Sequence, residues 1–211
     1  MQPQVEKEHY FRKKYNTLER FISYFYQVDL VASLSPKTVL EIGKGAGIFS
    51  DYLKKLGFGV VTCDIDKNLN PDYVGDIRAL PLGDNAFDVV TAFEVLEHIP
   101  FEEVPKALSE LKRTTARYVA ISLPYHSAGF EFVLKFPLIR KIFKRLFLDF
   151  FLRIPLRFGG IKVSGQHYWE IDCWHYPLRK IRKMLRSQFK IVREIRPVLN
   201  HYHYFFVLEK L

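Results

Sequence analysis

The string Glu41-Ile42-Gly43-Lys44-Gly45-Ala46-Gly47 follows an apolar, β-branched run and opens a helical pattern. Glycines in that context let the backbone turn sharply and approach a ligand where a Cβ would collide. Their spacing argues against two phosphate sites. A dinucleotide fingerprint, G-x-G-x-x-G, wants its third glycine one residue later than Gly47, where Ile48 stands, and a P-loop needs a Lys-Ser/Thr pair that does not follow Gly47. Asp64 ends the next apolar run, roughly 20 residues after the glycines, where a carboxylate can accept both hydroxyls of a ribose. Gly75-Asp76-Ile77 then offers an acceptor for an exocyclic amine beside an apolar wall, the two surfaces an adenine ring requires.

These groups can cooperate only if the chain brings them to one edge. Short β-branched runs at 38–42, 59–64, 73–76, 87–93 and 118–123 read as strands, with helical patterns at 49–56 and 101–112. The second of these helices has apolar residues at Val104, Ala107, Leu108 and Leu111, which is helical spacing. Strands alternating with helices imply β-α-β units, a parallel sheet with right-handed crossovers, and a ligand outside the carboxyl ends of the strands. Residues 177–188 read as a basic helix, and 190–196 and 202–208 as strands. Those last strands lie too close in sequence for a parallel crossover and must pair antiparallel. Ahead of the sheet, 10–34 carries Tyr15, Leu18, Phe21, Ile22 and Phe25 at roughly helical spacing. The expected organisation is a helical cap over 1–35 and one main domain over 36–211, interrupted by an insert at 130–160.

Composition bounds the class. With 211 residues, 48% hydrophobic and 26% charged, the chain reads as one globular domain. The two cysteines, Cys63 and Cys173, form no disulfide framework, and a reducing compartment is the simpler reading. The N-terminal residues lack the apolar core of a signal peptide, and no uncharged run approaches the ~20 residues of a membrane-spanning helix. The expected location is the cytoplasm, with peripheral membrane contact allowed.

The strings VLEIGKGAGIFSDYL, CDID, GDIRALPL, FDVVTAFEVLEHI and a closing YFFVLEKL, taken in order, resemble the class I S-adenosylmethionine-dependent methyltransferases, and within them the group often called methyltransferase type 11. The resemblance implies a Rossmann-like, doubly wound α/β fold with a seven-stranded sheet ordered 3-2-1-4-5-7-6, strand seven antiparallel, and helices on both faces. It also implies S-adenosyl-L-methionine as cofactor. By it, Glu41, Gly43, Gly45 and Gly47 hold the methionine portion, Asp64 with Ile65 the ribose, and Asp76 with Ile77 the adenine, while Phe93 and Glu94 line the floor. Tyr15 is expected to contact the cofactor from the N-terminal cap. Lys44 departs from the family, where Asp, Cys or Ser is commoner.

Methyl transfer to an oxygen also requires removal of a proton, so histidines near the carboxyl edge are candidates for catalysis. Three qualify: His98 in the Leu-Glu-His after the fourth strand, His126 after the fifth, and His167 in Gly165-Gln166-His167-Tyr168-Trp169-Glu170, where His167 and Trp169 could close over substrate. In some quinone-type O-methyltransferases of similar sequence, acidic residues and a histidine after the fourth strand bind a divalent cation. Phe93-Glu94-Val95 differs from those, and no metal is expected. His167, Cys173, His175, His201 and His203 lack zinc-finger spacing. Enzymes that methylate base amino groups place Asn/Asp-Pro-Pro-aromatic after strand four, and Phe93-Glu94-Val95-Leu96 disfavours that reading. The nucleophile elbow G-x-S-x-G is absent.

Charge is unevenly placed. The net +9 of the chain contrasts with residues 36–128, where ten Lys/Arg meet thirteen Asp/Glu. Residues 130–160 carry seven Lys/Arg against two Asp/Glu, and 179–196 eight against one. In the insert, Phe136, Ile139, Ile142, Phe143, Leu146 and Phe147 follow a helical stripe flanked by Arg140, Lys141, Lys144 and Arg145, so a helical lid is expected. It would shape a site for a small or lipid-like acceptor, and a basic amphipathic surface of this kind can also rest on an anionic membrane. Two alternatives remain at this level: an RNA methyltransferase using the basic surface, with nucleic acid the weaker partner because the insert is so apolar, and a catalytically inactive, cofactor-binding partner subunit.

Overall fold

Along Thr38–Ile42 (β1), Val39 points to one face of the sheet and Leu40 and Ile42 to the other, and this alternation sorts the whole core. The computed structural model describes residues 5–126, 128–154, 166–173 and 175–211. Beyond β1, the main sheet contains β2 (Gly59–Asp64), β3 (Tyr73–Val74), β4 (Phe87–Phe93), β5 (Thr115–Pro124), β8 (Phe189–Ile195) and β9 (His203–Lys210). Its order is β3-β2-β1-β4-β5-β9-β8, and β9 alone runs opposite to the other six strands. Counting only these seven strands, this is the 3-2-1-4-5-7-6 sheet expected above.

One face is covered by α1 (Leu18–Ser33) and α2 (Ile48–Lys55), which bury Leu30, Val31, Phe49 and Leu53 against Val39, Val60, Val89 and Phe205. The other receives α3 (Val104–Thr114) and α5 (Leu178–Arg186), with Leu108, Leu111, Ile181 and Leu185 against Leu40, Ile121 and Phe206. Burying a leucine on either face contributes about 2 kcal/mol. The two layers fix the strand ends from which the functional loops emerge.

Two expectations change. The aromatic stretch at 10–34 is not one helix: a 3-10 turn (Lys7–Phe11) precedes α1, and Thr17 caps α1 by accepting from the Arg20 amide. Leu18, Phe21 and Phe25 are exposed, whereas Ser23, Gln27, Leu30 and Val31 face inward. The helical lid is also corrected. The insert is a hairpin of β6 (Ala128–Leu134) and β7 (Leu148–Ile154), with only the short helix α4 (Ile139–Phe143) between them. Leu138 and Lys144, both at positive φ, bound that helix on either side, while 130–134 and 148–152 alternate with the period of a strand. Residues 155–160 of the expected insert, Gly165, and 1–4 of the expected cap lie outside the described residues.

Candidate active site

Ile42 pairs with Cys63 on one side and Ala92 on the other, so β1, β2 and β4 end within about one residue of each other. Loops leaving these ends enclose a cavity of about 310 Å³. It sits where the strand order turns back, between β1 and β4, the position at which open α/β sheets bind ligands. Gly43 shows why the turn must be bare. At φ +81° a Cβ would lie 2.5 Å from Val95 Cγ2, so a side chain there is both strained and blocked. Lys44, the residue that departs from the family, is directed away: its Nζ donates to the carbonyls of Leu69 and Asn70 at 3.0 and 2.6 Å, tying the glycine turn to the β2–β3 loop.

Three of the carboxylates that line the cavity, Asp64, Asp76 and Glu41, have different remaining capacity. Asp64 ends β2, and its Oδ1 accepts from the Asp66 amide at 2.9 Å while Oδ2 accepts a long bond from the Gly45 amide at 3.4 Å. A carboxylate offers about four acceptor sites, which leaves one on each oxygen, the arrangement two vicinal hydroxyls need. Burial pushes its pKa up, and the backbone hydrogen bonds oppose that shift. Asp76 is held by Arg78: Oδ1 accepts from its amide and Nε, both at 2.9 Å, and Oδ2 from Nη2 at 2.5 Å. That pairing, first of all the hydrogen bond from Arg78, holds the Asp76 pKa below the usual range and leaves one acceptor site on Oδ2. Arg78 is itself clamped by Glu103. Glu41 is different. It is buried, its Oε2 has no hydrogen-bond partner among the described residues, and burial pushes its pKa up to about 8. A buried acceptor left open in this way fits an incoming donor.

The N-terminal residues close the cavity over the glycine turn. Tyr10 and Tyr15 pack edge to face at 5.4 Å, the Arg20 guanidinium lies 4.5 Å from the Tyr15 ring centre, and Tyr10 comes within 3.5 Å of where a Gly45 Cβ would stand. Burial raises the pKa of both phenols, so they stay protonated near neutrality.

On the opposite side, β9 and residues 166–173 bring in groups distant in sequence. His203 places Nε2 3.3 Å from Glu94 Oε2 and Nδ1 2.6 Å from Ser23 Oγ, and burial lowers its pKa. Glu97 is fully buried, and burial followed by the charge of Glu94 raises its pKa well above normal. The rings of His98 and His167 meet at 4.8 Å, and burial, then the charge of His167, keeps the His98 pKa low. His167 Nδ1 lies 2.7 Å from Glu170 Oε1, which also accepts from the Tyr202 hydroxyl at 2.9 Å. Burial pushes Glu170 up, but the hydrogen bonds from His167 and Tyr202 outweigh it and hold its pKa low, so it remains an anion. Donor atoms of Glu97, His98 and His167 lie within 4.8 Å of one another, as do those of His126, Glu170 and Cys173.

The structure thus gathers Tyr15, Glu41, Gly43, Gly45, Gly47, Asp64, Ile65, Asp76, Ile77, Phe93 and Glu94 around one cavity, with His98 and His167. It does not bring His126 there. That ring stands 3.5 Å from the other oxygen of Glu170, because β5 continues to Pro124 and the chain then turns to pair with Ile171. Trp169 is also no lid: it is fully buried, donates to the Ile99 carbonyl at 3.1 Å and packs on Phe101. Sequence reasoning missed Tyr10, Arg20, Tyr202 and His203 as lining residues, and Glu170 as the hub beneath His167.

The fold and the lining of this cavity resemble those of the class I S-adenosylmethionine-dependent methyltransferases. Residues 40–118 match the family model described as the methyltransferase domain. Among curated proteins, the chain is 35% identical over 98 residues to the demethylmenaquinone methyltransferase of Renibacterium salmoninarum (42% of this chain, 40% of that protein). It is 34% identical over 107 residues to the ubiquinone biosynthesis O-methyltransferase of Paraburkholderia xenovorans (43% and 44%). The matches span less than half the length of these relatives. Among solved structures, magnesium protoporphyrin IX methyltransferase from Synechocystis with bound SAM has a TM-score of 0.60 at 16% identity, covering 99% of this chain and 93% of that one. The 1,6-didemethyltoxoflavin-N1-methyltransferase of Burkholderia thailandensis gives 0.59 at 16%, covering 100% and 92%. Those two likenesses are of fold. No helix among the described residues is long and apolar enough to cross a membrane.

Proposed function

We propose that the chain transfers a methyl group from S-adenosyl-L-methionine to a hydroxyl on a small or lipid-like acceptor. The observation that carries the reading is the order of open acceptors along the cavity: Glu41 beside the glycine turn, Asp64 at the end of β2, Asp76 after β3. Glu41 takes the amino group of the methionine portion, which passes over Gly43 and Gly45. Asp64 takes the ribose hydroxyls beside Ile65, and Asp76 the adenine amine, with Ile77 against the ring. Phe93 and Glu94 form the floor and Tyr15 the cover. When bound, S-adenosylmethionine supplies an electrophilic methyl group for in-line displacement, and positioning of the two reactants contributes much of the rate.

The acceptor approaches past His167. With Nδ1 engaged by Glu170, Nε2 is the ring nitrogen that takes the acceptor proton as the new oxygen–carbon bond forms, leaving S-adenosylhomocysteine. Glu170 is a positioning residue that fixes the ring and stabilises the imidazolium. That relatives carry names of quinone-pathway methyltransferases supports an acceptor of this size and polarity.

Asp64→Ala tests the cofactor assignment. It removes a charge-assisted pair of hydrogen bonds, and calorimetric affinity for S-adenosylhomocysteine should fall at least tenfold. A folded variant with unaltered affinity would overturn the ribose assignment. S-adenosylhomocysteine binding without its release from S-adenosylmethionine, across a panel of hydroxylated acceptors, would favour an inactive partner subunit.

A further inference from the structure

The insert leaves a face unaccounted for by the site. In the β6–β7 hairpin, Phe130 pairs with Leu152, Phe132 with Phe150 and Leu134 with Leu148. Direct partners in an antiparallel ladder share a face, so six apolar side chains form one surface. Five of them are 50–62% exposed: Phe130, Phe132, Leu134, Phe150 and Leu152. The other face is the anchored one. Phe151 lies under the Arg196 guanidinium at 3.7 Å and against His201 at 5.4 Å, Glu131 accepts from the Leu199 amide at 2.9 Å, and Arg153 pairs with Asp172 at 2.9 Å. The hairpin is therefore clamped onto the β8–β9 loop and residues 166–173 with its apolar face outward. At its tip, Leu138, Ile142 and Leu146 are exposed among Lys135, Arg140, Lys141, Lys144 and Arg145, all exposed as well.

We propose that this outward face and its basic tip dock on the surface of an anionic lipid bilayer. Charge complementarity selects the occupant. A continuous apolar face bordered by five cations suits an interface where acyl chains underlie anionic headgroups. A second copy of this chain would bring the same cations together, and a nucleic acid would leave the aromatic face in water. The docking does not depend on methyl transfer. If the preceding reading holds as well, the clamp on residues 166–173 sets the bilayer beside His167 and gives a lipid-dissolved acceptor a short path to it.

The test is co-sedimentation of the full chain with vesicles of phosphatidylcholine alone, and of phosphatidylcholine with about one-third phosphatidylglycerol, an anionic surface. Partitioning onto the anionic vesicles should exceed that onto the neutral ones at least tenfold. It should fall at least tenfold in Phe132→Ser/Phe150→Ser, and likewise in Lys141→Glu/Lys144→Glu/Arg145→Glu. S-adenosylhomocysteine affinity should be unchanged in both, which also checks folding. Absence of partitioning, or binding that survives the serine pair, overturns the proposal. So does a concentration-dependent dimer abolished by the serine pair, which would assign the face to self-association. Salt-sensitive RNA retention lost only in the charge-reversed variant, without vesicle binding, would assign the tip to nucleic acid instead.

Discussion

Replacing His167 with Ala is expected to lower kcat for a hydroxyl acceptor by about 10²–10⁴-fold, the usual contribution of a positioned general base, while S-adenosylhomocysteine binds as before. The separation follows from where the ring stands. His167 lines the cavity with its ring 4.8 Å from that of His98, and its Nδ1 is committed to Glu170 at 2.7 Å. A purely structural histidine would lower stability and both kinetic parameters together. Two further measurements distinguish a base from a brace. Added imidazole should restore part of the rate in His167→Ala, since the truncation leaves space of the right shape. Glu170→Gln keeps a hydrogen-bond acceptor but removes the anion, and should cost about tenfold in kcat with little change in KM. The rate is followed as S-adenosylhomocysteine released with the best acceptor of a phenolic and hydroxylated panel. Full activity in a folded His167→Ala variant would remove the histidine from the chemistry and turn attention to His98, whose pKa burial already lowers.

How much of this was legible beforehand depended on the range of the interaction. The glycine turn is readable because its requirement is local: Gly43 needs positive φ and has no room for a Cβ, whatever the rest of the fold does. Asp64 and Asp76 are readable because parallel strands place their carboxyl ends on one edge, so a position in sequence becomes a position in space. The far wall was not readable in the same way. Ser23 meets His203 across 180 residues, and Tyr202 reaches Glu170 across 32. The antiparallel pairing of β9 was expected, but which side chains it brings against α1 and residues 166–173 depends on packing between distant segments that no local pattern encodes. The insert failed for another reason. Its aromatic residues satisfy a period of 3.6 through 136–147 and a period of 2 on either side, and the left-handed residues Leu138 and Lys144 limit the helix to one short segment. Trp169 was misjudged because an aromatic beside a histidine resembles a lid, whereas its indole N–H is satisfied inside the core by Ile99.

Glu41→Gln is expected to stabilise the ligand-free protein while weakening cofactor binding, and both effects should grow with pH. The carboxyl is buried, and desolvation, reinforced by the charge of Asp64 and opposed by a hydrogen bond from Ser50, raises its pKa from 4.5 to about 8. In the unfolded chain it ionises near its ordinary value, so between these two limits the unfolded state has released a proton that the folded state retains. Stability attributable to this group is therefore full below pH 4.5 and declines as pH rises towards 8. The decline has a ceiling of roughly 5 kcal/mol at 1.36 kcal/mol per unit. Gln has nothing to ionise. Below pH 4 the two proteins should melt together, and at pH 8.5 the variant should melt several degrees higher, at about 2–4 °C per kcal/mol for a chain of this size. Binding responds in the opposite sense, because an ammonium group seated on Glu41 requires the carboxylate. Wild-type affinity for S-adenosylhomocysteine should increase from pH 6 to 8, with a proton released that the buffer dependence of the calorimetric enthalpy reports. The variant's affinity should stay flat and lie at least tenfold lower at pH 8. Equal affinities at pH 8, or a variant that melts lower there, would mean that the unpartnered oxygen of Glu41 is satisfied by something other than the cofactor's amino group, and the methionine end of the site would have to be redrawn.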